Sequence, residues 1–180
     1  MAHFKSFAPD VEVIGANILA VLEGMPHTKN FALEVLAENG IVDPLPGQWY
    51  SQQAYLNAFK AIAEKIGPFT LFEIGKNIPD NVVLPPGVDS FEDVFSTFNQ
   101  GYQMNHRGGA TGCQEAARTG DRSLKVISST PYPCEFERGV IEGFAMKFKP
   151  EGASLIVVKH DDSQSCRQNE ADSCTYLVSW

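Results

Sequence analysis

The chemistry of this 180-residue chain is concentrated in its four cysteines and four histidines. Cys166 and Cys174 stand eight residues apart at the two ends of a polar stretch, CRQNEADSC, flanked by strand-like runs. A hairpin across that stretch would bring both sulfurs to one point. Cys134 follows Pro133 at the start of a helical run, where free N–H groups and the helix dipole favour a thiolate. Three thiolates and one further donor make an ordinary closed zinc site. His160 and Asp162, on the strand leading into the hairpin, are the candidates for the fourth position. Two plainer readings of the same residues stay open: reduced thiols of an ordinary core, and a Cys166–Cys174 disulfide. Cys134 with His160 or His106 as base would resemble an activated nucleophile, but no Asp or Asn orienter is identifiable. Cys113 reads as a strand residue outside the group.

His106 is the second candidate. It closes a helical run, FNQGYQMNH, where an imidazolium would suit the dipole. An apolar pocket nearby would draw on the aromatic positions Trp49, Tyr50, Tyr55, Phe59, Phe95, Phe98 and Tyr102. Aromatic residues at helical spacing are more often plain core than pocket wall.

The elements that must position these residues change period along the chain. The first hundred residues read helical. Asp10 caps a helix carrying Val13, Ile14, Ile18, Val21 and Leu22. Thr28 starts a second helix, with Gly40 just past its end. Prolines 44 and 46 make a loop. Ser51 caps a third helix with Tyr55, Leu56, Phe59 and Ile62 on one face, stopped by Gly67-Pro68. Thr70 and Glu73 have capping-box spacing for a short helix to about Lys76, with a loop from Pro79 to Pro86. Ser90 caps a fifth helix running to about His106. The period then becomes that of strands. GCQEAART and RSLKVISS flank a turn at Thr119-Gly120-Asp121, a helix spans Cys134 to Lys149, and SLIVVKHD and CTYLVSW close the chain. The expected fold is α+β: an N-terminal helical layer, about residues 1–109, on a mostly antiparallel four-stranded sheet of β-β-α-β-β order, about 110–180, in a single domain.

Composition narrows the function. The formal charge is −8, with no Lys/Arg cluster, which argues against nucleic acid and anionic membrane surfaces. No apolar run approaches a membrane span, and MAHFKSFAPD is not a signal peptide. The expectation is a cytoplasmic protein with reduced thiols. No dinucleotide fingerprint is present, which argues against autonomous redox catalysis.

The C-terminal segment YPCEFERGVIEGFAMKF…LIVVKHDDSQSCRQNEADSCTYLVSW resembles the four-vinyl-reductase-type domain. Cys134, Gly139, Gly143, Cys166 and Cys174 match its Cys, its Gly-x-x-x-Gly helix and its two hairpin cysteines. In sensor members the cysteines and a strand carboxylate bind zinc beside a pocket for an aromatic ligand. That carboxylate position is Ser163 here, and the usual hairpin glycine falls near Glu170. The superfamily also contains the haem-nitric-oxide-binding (H-NOX) domains and TRAPP-type trafficking subunits, and the helical front half looks like its helical subdomain. H-NOX domains hang haem iron from a histidine where His106 lies. Their Tyr-x-Ser-x-Arg motif is replaced by TPYPCEFER.

The resemblance implies a sensory domain for a small hydrophobic or aromatic molecule, with a zinc-clipped hairpin and a homodimer or signalling partner protein. Residues 10–24 would be the dimer surface. The alternatives are a haem-binding sensor of a diatomic gas with His106 as axial ligand, an accessory protein or reductase of tetrapyrrole metabolism, and an assembly adaptor.

Overall fold

A computed structural model describes residues 3–180. The order is β1 (Glu12–Ile14), α1 (Gly15–Gly24), α2 (Lys29–Glu38), β2 (Trp49–Ser51), α3 (Gln52–Lys65), α4 (Phe69–Asn81), α5 (Phe91–Ser96), α6 (Phe98–Met104), β3 (His106–Arg107), β4 (Cys113–Gly120), β5 (Ser123–Ser129), α7 (Cys134–Lys147), β6 (Val157–His160) and β7 (Cys174–Ser179). Short 3-10 turns lie at Pro26–Thr28 and Arg167–Asn169. The fold is α+β, as the change of period predicts. The last four strands form one antiparallel sheet in the order β4-β5-β7-β6, with α7 inserted between β5 and β6 in sequence. One hydrophobic cluster runs from Val13 in the helical part to Val178 in the sheet.

Three elements differ from the sequence expectation. Residues 12–14 are a strand, not the start of a helix. β1 is the middle strand of a small sheet, β2-β1-β3, and fully buries Val13. The β-branched Val11, Val13 and Ile14 suit an extended chain, and the helix begins only at Gly15, where a Cβ would lie 2.0 Å from the Leu45 carbonyl oxygen. α4 extends well past Lys76 and contains Pro79. That proline lacks the N–H that would bond the Gly75 carbonyl, and with the helix ending two residues later the break stays local. The Thr70–Glu73 box gives way to a helix starting at Phe69. The fifth helix breaks at Thr97, whose hydroxyl bonds the Asp93 carbonyl at 2.7 Å beside Ser96, which does the same at 3.0 Å. Ser90 and Asp93 close a capping box at its start.

α7 lies directly on α4 through glycines. A Cβ at Gly139 would meet the Phe72 carbonyl oxygen at 2.2 Å, one at Gly143 the Lys76 oxygen at 2.6 Å, and one at Gly75 the Phe136 oxygen at 2.3 Å. Those obstacles are backbone atoms, so they move only if a helix moves. α1 is likewise pressed onto α4 at Gly24, whose Cβ would sit 2.6 Å from Ile74 Cα. Residues 15–18, 20 and 21 of α1 are buried in this chain's own core. Leu19 and Leu22 are only partly buried and Glu23 is exposed.

Gly139→Ala should push α7 off α4 and lower stability by about 3 kcal/mol, read as a shift in the urea midpoint at unchanged slope. The same substitution at the open Gly47, which has nothing within 4 Å of its Cβ position, should leave the midpoint within about 0.5 kcal/mol of the parent.

Candidate functional site

A cavity lies between α4, α6 and α7 and holds about 590 Å³ of empty space, its open side included. Its apolar wall includes Ile78, Val82, Val94, Phe98, Val140 and Phe144, and its polar groups include Asn17, Asn105, His106, Gln114, Tyr132 and Glu137. Of the seven aromatic positions marked from sequence, Phe98 and Tyr102 line it. Tyr55, Phe59 and Phe95 are buried elsewhere in the core, and Trp49 and Tyr50 are partly exposed on β2. Sequence reading missed Tyr132, Phe136 and Phe144. Each sits on or just before α7, and the helical period alone does not separate a cavity wall from the core.

His106 is not in a helix. α6 ends at Met104, because Asn105 turns its amide back to the Gly101 carbonyl (2.8 Å) and to the Val83 carbonyl (2.8 Å). His106 then pairs with Val13 across β3–β1, buried at 7% exposure. Its Nδ1 lies 2.8 Å from the Tyr102 carbonyl oxygen, which can only accept, so Nδ1 carries the proton. Nε2 is therefore a lone pair, and the Tyr132 hydroxyl donates to it at 2.7 Å. Burial pushes the imidazole down to about 4, against a small opposing pull from the Tyr102 carbonyl. The result is a neutral histidine with one anchored nitrogen and one basic nitrogen, the state in which imidazole binds a metal. The helix-end cation expected as the plain reading is thus replaced by a buried neutral ring.

Glu137 was not singled out from sequence. It sits in the first turns of α7 with 2% exposure. Gln114 Nε2 donates to one carboxyl oxygen at 2.7 Å and the Thr130 hydroxyl to the other. Burial raises its pKa to about 7 although Thr130, Ser128 and Gln114 all favour the anion. Asn17 Oδ1, also in the wall, is buried and has no hydrogen-bond partner among the described residues.

The thiols do converge. Cys134 Sγ lies 3.3 Å from Cys166 Sγ and 3.5 Å from Cys174 Sγ, and the last two are 3.6 Å apart. These are free thiols at hydrogen-bonding separation, not a disulfide. Edges of this length approach the ~3.8 Å sulfur–sulfur edge of tetrahedral zinc with ~2.3 Å bonds. The donor set is soft and closed, so it fits a zinc-class ion. A hydrogen bond from Cys134 pulls Cys174 down to about 3, helped by His3, His160 and the Arg167 backbone N–H, and Cys134 is correspondingly pushed up. The cluster's hydrogen bonds thus favour ionisation at Cys174 over Cys134. The hairpin between its cysteines turns through Glu170 in the left-handed region (φ 67°). Cys113 lies apart on β4 and is exposed.

The two expected fourth donors are placed differently. Asp162 is 95% exposed and is held by His160 Nδ1 at 2.8 Å. His160 Nε2 is buried without a hydrogen bond of good geometry; burial lowers its pKa, but Cys174 and Asp162 together outweigh this and raise it. Four donor atoms within 4.8 Å of one another belong to Cys134, Cys166, Cys174 and His3. Sequence spacing gave no signal for His3, which lies 131 residues before Cys134.

Glu137 and His106 act on stability with opposite signs. Glu137 binds its proton more tightly folded than unfolded, so its contribution is complete below about pH 4.5 and is lost as pH rises to about 7. His106 resists protonation when folded, so its contribution is complete above about pH 6.5 and is lost as pH falls to about 4. Each amounts to about 3 kcal/mol across its window. Relative to the parent, Glu137→Gln should gain about that much between pH 4.5 and 7 in urea titrations. A pH-independent difference between the two chains would refute the assignment.

No family model and no curated protein matches the sequence. Solved structures match over most of its length. An H-NOX protein from S. oneidensis in the Fe(II) ligation state superimposes with a TM-score of 0.67 at 15% identity, covering 91% of this chain and 94% of that one. The S. oneidensis protein in the Fe(II)NO state gives 0.66 at 15%, covering 91% and 97%. A T. Tengcongensis H-NOX gives 0.62 at 15%, covering 89% and 93%. At such identities the likeness is one of architecture: this chain is built on the H-NOX fold.

Proposed function

We propose that this chain is a haem-binding sensor of a diatomic gas such as nitric oxide, with His106 as axial ligand. The observation that carries the reading is the His106 ring: neutral, anchored through Nδ1 to the Tyr102 carbonyl, lining the cavity, and with Nε2 engaged, among the described residues, by the Tyr132 hydroxyl alone. Solved structures of the same fold are of H-NOX proteins in Fe(II) and Fe(II)NO states, and another concerns modulation of haem redox potential. Haem would supply the iron that binds the gas. The chain's own residues do the rest. Tyr102 holds the ring in one tautomer, the apolar wall excludes water, and Tyr132 offers Nε2 an alternative partner. No Lys or Arg lines the cavity among the described residues, so Asn17, Asn105 and Gln114 are the polar side chains that would face the haem carboxylates' end of the group if it bound there without a cationic partner. In the same reading a zinc ion on Cys134, Cys166 and Cys174 clips the hairpin, and the signal passes to a partner protein or a second copy.

A second reading has its own observation. The unpartnered Asn17 Oδ1, the Glu137 carboxyl and the missing cations suit a small apolar or aromatic molecule bearing an N–H or O–H donor.

Haemin titration of the purified chain, followed in the Soret region, separates the two. The haem reading expects one equivalent bound, a spectrum changed by His106→Ala, and affinity raised about fivefold by Tyr132→Phe, which deletes a competing hydrogen bond of about 1 kcal/mol. Absence of a Soret shift, or a spectrum indifferent to His106→Ala, would leave the small-molecule reading. Native mass spectrometry would then look for a bound mass released on denaturation.

A further inference from the structure

The three thiols leave one corner of a tetrahedron open, and what fills it decides what a metal would hold together. We infer that the fourth ligand is His3, so that a zinc-class ion fastens the N-terminal segment to the C-terminal hairpin. This rests on the reading that the thiol cluster takes a metal, and it names a ligand the strand motif does not contain.

The geometry favours His3 over the strand residues. His3 Nε2 is 3.5 Å from Cys134 Sγ and belongs to the one compact set of donor atoms among the described residues. An imidazole at ~2.0 Å and thiolates at ~2.3 Å from one ion give nitrogen–sulfur edges of about this length. Asp162 points to solvent. Ser163, where the four-vinyl-reductase-type domain has its carboxylate, bonds Asp161 at 2.6 Å and is exposed. His160 approaches Cys174 from the sheet side but lies outside the compact set.

An independent observation shows that the N-terminal segment is built to be there. Residues 3–8 form no helix or strand, yet they are docked by specific hydrogen bonds. Phe4 N–H donates to the Pro131 carbonyl (3.0 Å), and Gln53 Nε2 donates to the Phe4 carbonyl (2.9 Å). Ser6 N–H donates to Gln53 Oε1 (2.9 Å), and its hydroxyl to Gln52 Oε1 (2.7 Å). The Arg167 guanidinium, one residue past Cys166, stacks 4.5 Å over the Phe7 ring. The strap therefore reaches the hairpin at two points, a cation–π contact and His3. Phe4 also packs against the core, and among the strap's polar contacts a coordinate bond would be the strongest.

The test uses the full chain with any tag at its C-terminus, reduced and freed of metal, and titrated with cobalt(II) as a spectroscopic probe. The expected result is one equivalent bound, with thiolate-to-cobalt charge transfer and the intense visible bands of a four-coordinate site. His3→Ala should alter those bands and weaken binding by at least about tenfold, the lower end of what even an indirect partner contributes. His160→Ala should keep the band positions. Amide hydrogen exchange supplies a readout independent of the spectrum: with zinc, residues 4–8 should be protected in the parent and not in His3→Ala. Unchanged bands and affinity in His3→Ala would overturn the inference while leaving the metal in place. So would transfer of the loss to His160→Ala. No cobalt bound at all would overturn the inference and the zinc clip together, without touching the haem titration.

Discussion

Contact of α7 with α4, backbone against backbone, sets where the other parts can lie. Gly75, Gly139 and Gly143 admit no side chain because a carbonyl oxygen of the facing helix occupies the space a Cβ would need. Close approach of this kind leaves no slack, and a helix held at that distance fixes its own N-terminus. That N-terminus carries Cys134, Phe136 and Glu137, and the turn before it carries Thr130 and Tyr132. Within eight residues the chain thus supplies a thiol to the cluster, two aromatic walls and a carboxyl to the cavity, and the hydroxyl that meets His106.

The electrostatics follow from that burial. Glu137 and His106 are both fully desolvated, and neither has an opposite charge beside it. Each is driven toward its neutral form, the carboxyl upward and the imidazole downward. A neutral acid and a neutral base can share an apolar wall at a cost that two charges could not. The thiols behave differently because they are clustered. One proton fewer on three sulfurs is stabilised by the remaining S–H and N–H donors, so Cys174 falls while Cys134 rises. The arrangement favours a thiolate at Cys174, the form a zinc-class ion requires.

Much of this was legible in the chain. The switch from helical to strand period near residue 110, the hairpin at Thr119–Asp121 and the closing of CRQNEADSC on itself are local properties, and local pattern reports them faithfully. Cys134 could be named from sequence as a third thiol, but its convergence on the hairpin stays conditional there, since its placement depends on how α7 crosses α4. His3 was illegible because nothing in three residues near a terminus states what they will dock against. His106 was assigned to a helix because the apolar repeat continues through it. Asn105 overrides the repeat by turning its side chain onto the preceding carbonyls. β1 was misread for a related reason: two apolar residues before a helix look like its first turn, and only pairing with residues 49–51 and 106–107 makes them a strand.

The cavity and the thiol cluster share a wall. Tyr132 and Cys134 are separated by one proline, whose fixed φ makes the pair a stiff corner. On the cavity side the Tyr132 hydroxyl donates to His106 and accepts from Gln52 Nε2 at 3.4 Å. Gln52, fully buried, accepts in turn from Ser6 of the N-terminal strap. On the other side Cys134 meets His3 of the same strap. The ring thus closed, from Tyr132 through Gln52 to Ser6 and back through His3, Cys134 and Pro133, with His106 attached at Tyr132, contains one hydrogen bond near the limit of useful length and one imidazole–thiol contact of 3.5 Å. Its other links are short or covalent. Two weak links in a closed ring are where it can open, and they lie one on each side of the strap. Loss of the first separates Gln52, which carries Ser6, from the cavity; loss of the second separates His3 from the thiols; both sites thus bear on the strap rather than on each other directly.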